Sequence, residues 1–267
     1  MRRNDTNPTT SKTALITGAS SGIGSALAEY FARDGYDLVL AARGVERMEA
    51  LAVSLRLRHG FTVSVIAADL ETCDGPGRLH AEIKRRGIIL SALANNAGVG
   101  MFGEFKDAAL APALAMMQLN MNAVVALTQL FLPDLLATGG KILNTASTAA
   151  FQPGPNMAVY YATKAFVLSF SEAIAAELEG SGVTVTALCP GPTSSGFQDK
   201  AEMNASALVK GRTLPTADTV AQAGFEAMLR GQRVVIPGVR NWLIAHGPRF
   251  APRKMVTGFV KTMSRAV

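Results

Sequence analysis

Tyr160 and Lys164 stand four residues apart, and Ser147 lies thirteen residues before the tyrosine. On a helix, residues i and i+4 share a face. The spacing therefore sets the Lys164 ammonium one turn from the Tyr160 phenol. A neighbouring cation favours phenolate and lowers a tyrosine pKa from about 10. A tyrosine tuned in that way passes protons near neutral pH. The same pair also occurs on ordinary surface helices, so its meaning depends on what surrounds it. Tyr161 is adjacent, but only Tyr160 has both offsets.

A second group sits near the start, where Thr17-Gly18-Ala19-Ser20-Ser21-Gly22-Ile23-Gly24 follows a short apolar run. Glycines let a backbone turn tightly and let a pyrophosphate approach. A helix N-terminus adds free N–H groups and a positive dipole end. The spacing is GxxxGxG, which differs from the GxGxxG fingerprint. These residue types predict a phosphate turn built from Gly18, Ser20, Ser21, Gly22, Ile23 and Gly24.

The second apolar run ends in Ala41-Ala42-Arg43. An acid at that place suits the ribose hydroxyls of NAD, whereas arginine suits the 2′-phosphate of NADP(H). Asp69 and Leu70 follow the third run. Asp69 fits either an acceptor for the adenine amino group or a helix N-cap. Asn96, Ala97 and Gly98 follow the fourth run, where small polar residues shape a cofactor floor and fix a loop.

The elements that must position these groups alternate along the chain. Strands are predicted at Thr13–Thr17, Leu38–Ala42, Thr62–Ala67, Ile88–Ala94, Lys141–Ala146, Val183–Leu188 and Val234–Ile236. Helices are predicted from about Ile23 to Asp34, to about Arg58, from Gly75 to Arg86 and from Asn156 to Glu179. Short apolar strands alternating with helices imply right-handed βαβ units, hence a doubly wound, mostly parallel seven-stranded sheet covered on both faces. Residues 1–11 read as a loose polar tail, 12–237 as one nucleotide-binding and catalytic domain, and 238–267 as its basic helical extension. The tail has the pattern of neither a signal peptide nor a membrane anchor.

Composition narrows the class. The chain has 267 residues, 17% of them charged, which suits one large α/β domain. Cys73 and Cys189 lie far apart and imply a reducing, cytoplasmic setting without disulfides. His59, His80 and His246 lack metal-ligand spacing. No motif points to nucleic acid. Ala108 to Pro133 carries no charge, yet contains Gln118, Asn120, Asn122, Thr128 and Gln129. Those groups read as a helix buried against the sheet and a second subunit rather than a transmembrane segment. From Gly231 to Val267 there are seven Lys or Arg and no Asp or Glu. That charge reads as a solvated basic face, or as a surface for an acidic partner or for weak contact with an anionic membrane surface.

TGASSGIG, NNAG, Asn120, Ser147 with Tyr160 and Lys164, and Cys189-Pro190-Gly191 occur in this order. Together they resemble the short-chain dehydrogenase/reductase family in its single-domain form, over about Lys12 to Pro237. The resemblance implies that Tyr160 protonates a substrate carbonyl as hydride arrives and that Ser147 holds the carbonyl. Lys164 would lower the tyrosine pKa and bind ribose hydroxyls. Asn120, rather than Asn122, would support a water relay, and Pro190, Gly191 and Thr193 would line the nicotinamide. It also implies a homodimer or homotetramer. In the family, the stretch after Thr193 covers the substrate. Phe197, Met203 and Leu208, with Phe151 and Met157, are candidates for the pocket or for plain packing. Met255, Phe259 and Met263 predict an amphipathic helix that covers the pocket, joins subunits or touches a membrane. The leading function is an NADP(H)-dependent carbonyl/alcohol oxidoreductase acting on a small molecule. The alternatives are a silent NADP sensor and a membrane-associated reductase of lipid or acyl carbonyls.

Overall fold

The computed structural model describes residues 12–201, 211 and 213–264. Seven parallel strands form one sheet in the order β3-β2-β1-β4-β5-β6-β7. They are β1 Thr13–Thr17, β2 Asp37–Ala42, β3 Val63–Ala67, β4 Ala92–Asn95, β5 Lys141–Thr145, β6 Thr184–Leu188 and β7 Val234–Val235. The helices are α1 Gly22–Arg33, α2 Val45–His59, α3 Gly75–Arg85, α4 Leu110–Met117, α5 Ala123–Thr138, α6 Ala158–Glu177, α7 Phe197–Lys200, α8 Ala217–Leu229, α9 Val239–His246 and α10 Arg253–Met263.

Strand residues alternate between the two faces. Ala14, Ile16, Leu38 and Leu40 pack under α1, α2 and α8, while Leu15, Val39, Leu93 and Ile142 pack under α3 and α5. Both faces are covered, which is why the strands read as continuous apolar runs. The chain moves outward from β1 through β2 to β3, then returns to place β4 on the other side of β1. That reversal opens a crevice at the carboxyl ends of β1 and β4, the place where doubly wound sheets bind ligands.

Beyond shifts of a single residue, three places differ from the sequence reading. Helix α6 starts at Ala158 instead of Asn156, because Asn156 adopts φ 66°, outside helical space. Strand β4 starts at Ala92, since Ile88 closes the turn after α3 through its N–H to Ile83 O at 3.2 Å. The uncharged stretch is α4, a π-helical turn at Gln118–Asn122, then α5. By length and composition alone, Leu110–Thr138 could cross a membrane. Here Leu119, Ala123, Leu127, Phe131 and Leu135 belong to the core under the sheet. Its outer side is open, with Leu110 and Leu114 exposed, so the stretch is buried on its inner side only.

Candidate active site

The turn after β1 is held by its neighbours. Thr17 Oγ1 accepts the Asn96 and Ala97 N–H groups, each at 3.0 Å, and Asn96 Nδ2 donates to Thr17 O at 3.0 Å. Gly18 and Gly22 have φ +67° and +60°, which other residues rarely adopt. A Cβ on Gly24 would stand 2.4 Å from Gly18 O and 2.5 Å from Asn96 Nδ2. Ser21 is the N-cap of α1 but makes no side-chain cap, so the first N–H groups of the helix lack a capping side chain. The geometry fits a phosphate at this helix end.

One cavity of about 700 Å³ runs from this turn to Met157. It is lined by Gly18, Ser20, Ser21, Gly22 and Ile23, and by Arg43, Asp69 and Leu70. Asn96, Ala97 and Gly98 line its middle, beside Ser147, Tyr160, Lys164, Pro190, Gly191 and Thr193. Gly24 and Asn120, also expected at the site, stand behind its wall. Gly24 lets Asn96 and the turn close together. Asn120 is 1% exposed and is fixed from three sides. Its Oδ1 accepts Val99 N–H at 3.0 Å, and its Nδ2 donates to Val99 O at 2.9 Å and Thr163 Oγ1 at 3.1 Å. Asn122, two residues on and therefore on the opposite face, points away and donates to Gln118 Oε1 at 2.8 Å. A Cβ on Gly98 would stand 3.2 Å from Asn120 Oδ1 and 3.4 Å from Lys164 Nζ.

Ser147 Oγ accepts Ala149 N–H at 3.1 Å and lies 3.4 Å from Pro190 O. Lys164 Nζ donates to Thr145 O at 2.7 Å and stands 5.9 Å from the centre of the Tyr160 ring. Here the sequence reading needs correction. Burial pushes the Tyr160 phenol up to about 12, although the Ser147 hydroxyl beside it favours ionisation. Burial also presses the Lys164 ammonium down to about 8. The lysine points at a backbone carbonyl rather than at the phenol, and desolvation dominates the shift of both groups. Tyr161 also lines the cavity but is buried in a cluster with Met157, Val256 and Val260, against which the Tyr160 ring packs from the side.

Arg43 Nη1 lies 2.8 Å from Glu71 Oε2 at the outer end of the cavity. Arg47 also lines this end, and Gly44 caps α2 without a side chain. Neither was singled out in the sequence. The signal was there: Arg47 falls one turn after Arg43, on the helix that follows it. Asp69 does not cap a helix, because α3 has Asp74 as its N-cap; Asp69 Oδ1 instead accepts Glu71 N–H at 3.0 Å.

At the other end, Met157 and Phe197 line the cavity, and the Phe197 ring lies 5.4 Å from that of Tyr160. Phe151 does not line it and packs 6.2 Å from His246. Met203 and Leu208 lie outside the described residues. The extension roofs the cavity through Asn241, Ile244, Val260 and Met263. Its end is clasped: Asn156 Nδ2 donates to Ser264 O at 3.1 Å and Ser264 Oγ donates to Pro155 O at 3.0 Å. The face of α10 that packs inward is centred on Val256 and Val260, and of the Met255, Phe259 and Met263 stripe only Met263 reaches the cavity. Val256 and Val260 are buried, Met263 is half-buried, and Met255 and Phe259 face outward.

A parallel sheet with a glycine cradle at its switch point defines a doubly wound nucleotide-binding protein. The short chain dehydrogenase family model matches residues 12–205. Sulfoacetaldehyde reductase of Chromohalobacter salexigens is 36% identical over 229 residues, covering 79% of this chain and 85% of that protein. A short-chain dehydrogenase from Sphingobium yanoikuyae, solved with NADPH, superposes with TM-score 0.80 and 32% identity over 96% of this chain and 97% of that one. The bulky-bulky ketone specific alcohol dehydrogenase from Comamonas testosteroni gives TM-score 0.76 and 31% identity over 96% of each chain. The chain belongs to the short-chain dehydrogenase/reductase family. It is therefore an oxidoreductase of the class that uses nicotinamide cofactors.

Proposed function

We propose that the protein interconverts a ketone or aldehyde with its alcohol, uses NADP(H), and moves the proton through Tyr160. One observation carries this reading: the glycine turn, Arg43 and the Ser147, Tyr160 and Lys164 side chains share a single cavity. A bound nicotinamide supplies or accepts the hydride.

The chain's own residues do the rest. In reduction, the Tyr160 hydroxyl gives its proton to the substrate oxygen, and in oxidation the phenolate takes it back. With its phenol held up to about 12, Tyr160 is protonated at neutral pH, the form that reduction needs. Ser147 donates a second hydrogen bond to the same oxygen and stabilises the charge that develops there. Lys164 binds ribose hydroxyls and is kept in register by Thr145 O. Asn120 is a positioning residue that ties the Val99 backbone to Thr163 and supports a relay of protons through water. Pro190, Gly191 and Thr193 hold the carboxamide end.

NADP(H) rather than NAD is favoured by Arg43, Arg47 and the free N-terminus of α2 at Gly44, which together form a cationic corner for a 2′-phosphate. The Sphingobium relative's complex with NADPH agrees. Leu110, Leu114 and Phe166, exposed on α4 and α6, are the surface we assign to a homo-oligomer. The free cysteines fit a reducing setting such as the cytoplasm.

The test is Tyr160→Phe against a panel of carbonyl compounds, followed by loss of NADPH absorbance. Turnover should fall by about 100- to 10,000-fold, the usual contribution of a positioned acid. NADPH binding, read by fluorescence, should persist. A variant with full activity on a wild-type substrate refutes the mechanism.

A further inference from the structure

The reaction leaves one face of the extension without a role. Helix α10 buries Val256 and Val260 and turns Met255 (67% exposed) and Phe259 (64% exposed) outward. At 3.6 residues per turn, Lys254 and Lys261 share one stripe that borders the Met255 and Phe259 stripe on the outward side. Helix α9 repeats the pattern. Trp242 and Leu243 are exposed, Trp242 stacks 4.2 Å from His246, and Val239, one turn earlier, is exposed where it lines the cavity. Between the helices, Phe250 is 89% exposed.

The charge on this segment has one sign, with no Asp or Glu from Gly231 to Val267. Arg240, Arg249, Arg253, Lys254 and Lys261 make no ion pair among the described residues. Large apolar side chains set among cations are the make-up of a helix lying in a lipid interface. A second copy of the same face would oppose like charges, which disfavours self-pairing. We propose that α9, the Phe250 turn and α10 dock on an anionic lipid surface.

The docking has a consequence for the site. The same two helices roof the cavity from within through Ile244, Val260 and Met263. A chain seated this way holds its roof at the bilayer, where apolar carbonyl compounds partition.

The test is sedimentation of the full chain with vesicles of phosphatidylcholine alone and of phosphatidylcholine mixed with phosphatidylserine. Binding should occur only to the mixed vesicles and should weaken as salt is raised. Each cation near such a surface strengthens partition by about fivefold, so Lys254→Gln with Lys261→Gln should weaken it by about 25-fold. Phe250→Ser with Phe259→Ser should abolish it while NADPH-dependent turnover continues, which shows the variant is folded. Equal sedimentation with both vesicle types, or no change in the lysine variant, overturns the proposal. So does light scattering that shows a dimer lost in the phenylalanine variant, without vesicle binding, because the face then seats a second copy.

Discussion

Replacing Arg43 by alanine separates cofactor choice from catalysis. The Arg43–Glu71 pair is 2.8 Å long, with side chains 59% and 25% exposed. A pair so open to water is worth about 0–1 kcal/mol, so its loss should barely change stability. A charge-assisted hydrogen bond from a guanidinium to a phosphate contributes about 1.5–3 kcal/mol. Drawing Arg43 away from Glu71 subtracts up to about 1 kcal/mol of that. The net is about 0.5–3 kcal/mol, or a factor of about 2–150. Initial rates should therefore show kcat/KM for NADPH reduced by that factor in Arg43→Ala, and kcat/KM for NADH changed by less than about twofold. Glu71→Gln provides the opposite arm. It removes both the competitor for Arg43 and a negative charge beside the phosphate, so kcat/KM for NADPH should rise. Equal losses with both cofactors in Arg43→Ala, or weaker NADPH use in Glu71→Gln, would remove Arg43 from the 2′-phosphate.

Two further outcomes follow from packing and burial. A Cβ on Gly154 would lie 2.2 Å from Tyr161 Cγ, so Gly154→Ala must displace that ring. Urea unfolding should show a loss of about 1–3 kcal/mol, and unchanged stability would refute the contact. Burial lowers the Lys164 pKa from 10.5 to about 8 in the folded chain. Between those values the unfolded chain keeps a proton that the folded chain has released, so this group makes stability rise with pH. The penalty is fully present below about pH 8 and gone by about 10.5. Compared with Lys164→Met at each pH, the wild type should therefore gain stability across this window. A flat or falling difference would contradict the burial.

Much of the fold follows from local pattern. Apolar runs such as Thr13–Thr17 and Thr184–Leu188 alternate with helical periods, and parallel strands buried on both faces leave that signature. The glycine turn, Arg43 and the Ser147, Tyr160 and Lys164 offsets were legible because each depends on near neighbours along the chain. The strand order was not, since the return of β4 to the far side of β1 is a long-range choice. Asn120 and Asn122 are two residues apart and look alike in sequence; helical rotation puts them on opposite faces, and only the packing around the turn decides which one is buried. Which face of α10 turns inward was not legible for a related reason. Two adjacent faces of that helix are apolar, and only the surface beneath it decides that Val256 and Val260 go inward.

The sequence by itself determined which groups are available: the phosphate turn, the cation for its ribose end, and a tyrosine one helical turn from a lysine. Those are matters of residue type and short spacing, which the covalent chain sets directly. Tertiary structure decided their state and company. It aims Lys164 at Thr145 O, pairs Arg43 with Glu71, holds the Tyr160 phenol up and brings a roof from the far end of the chain. The physical reason is that desolvation and ion pairing depend on what surrounds a group in space, and most of those surroundings are distant in sequence.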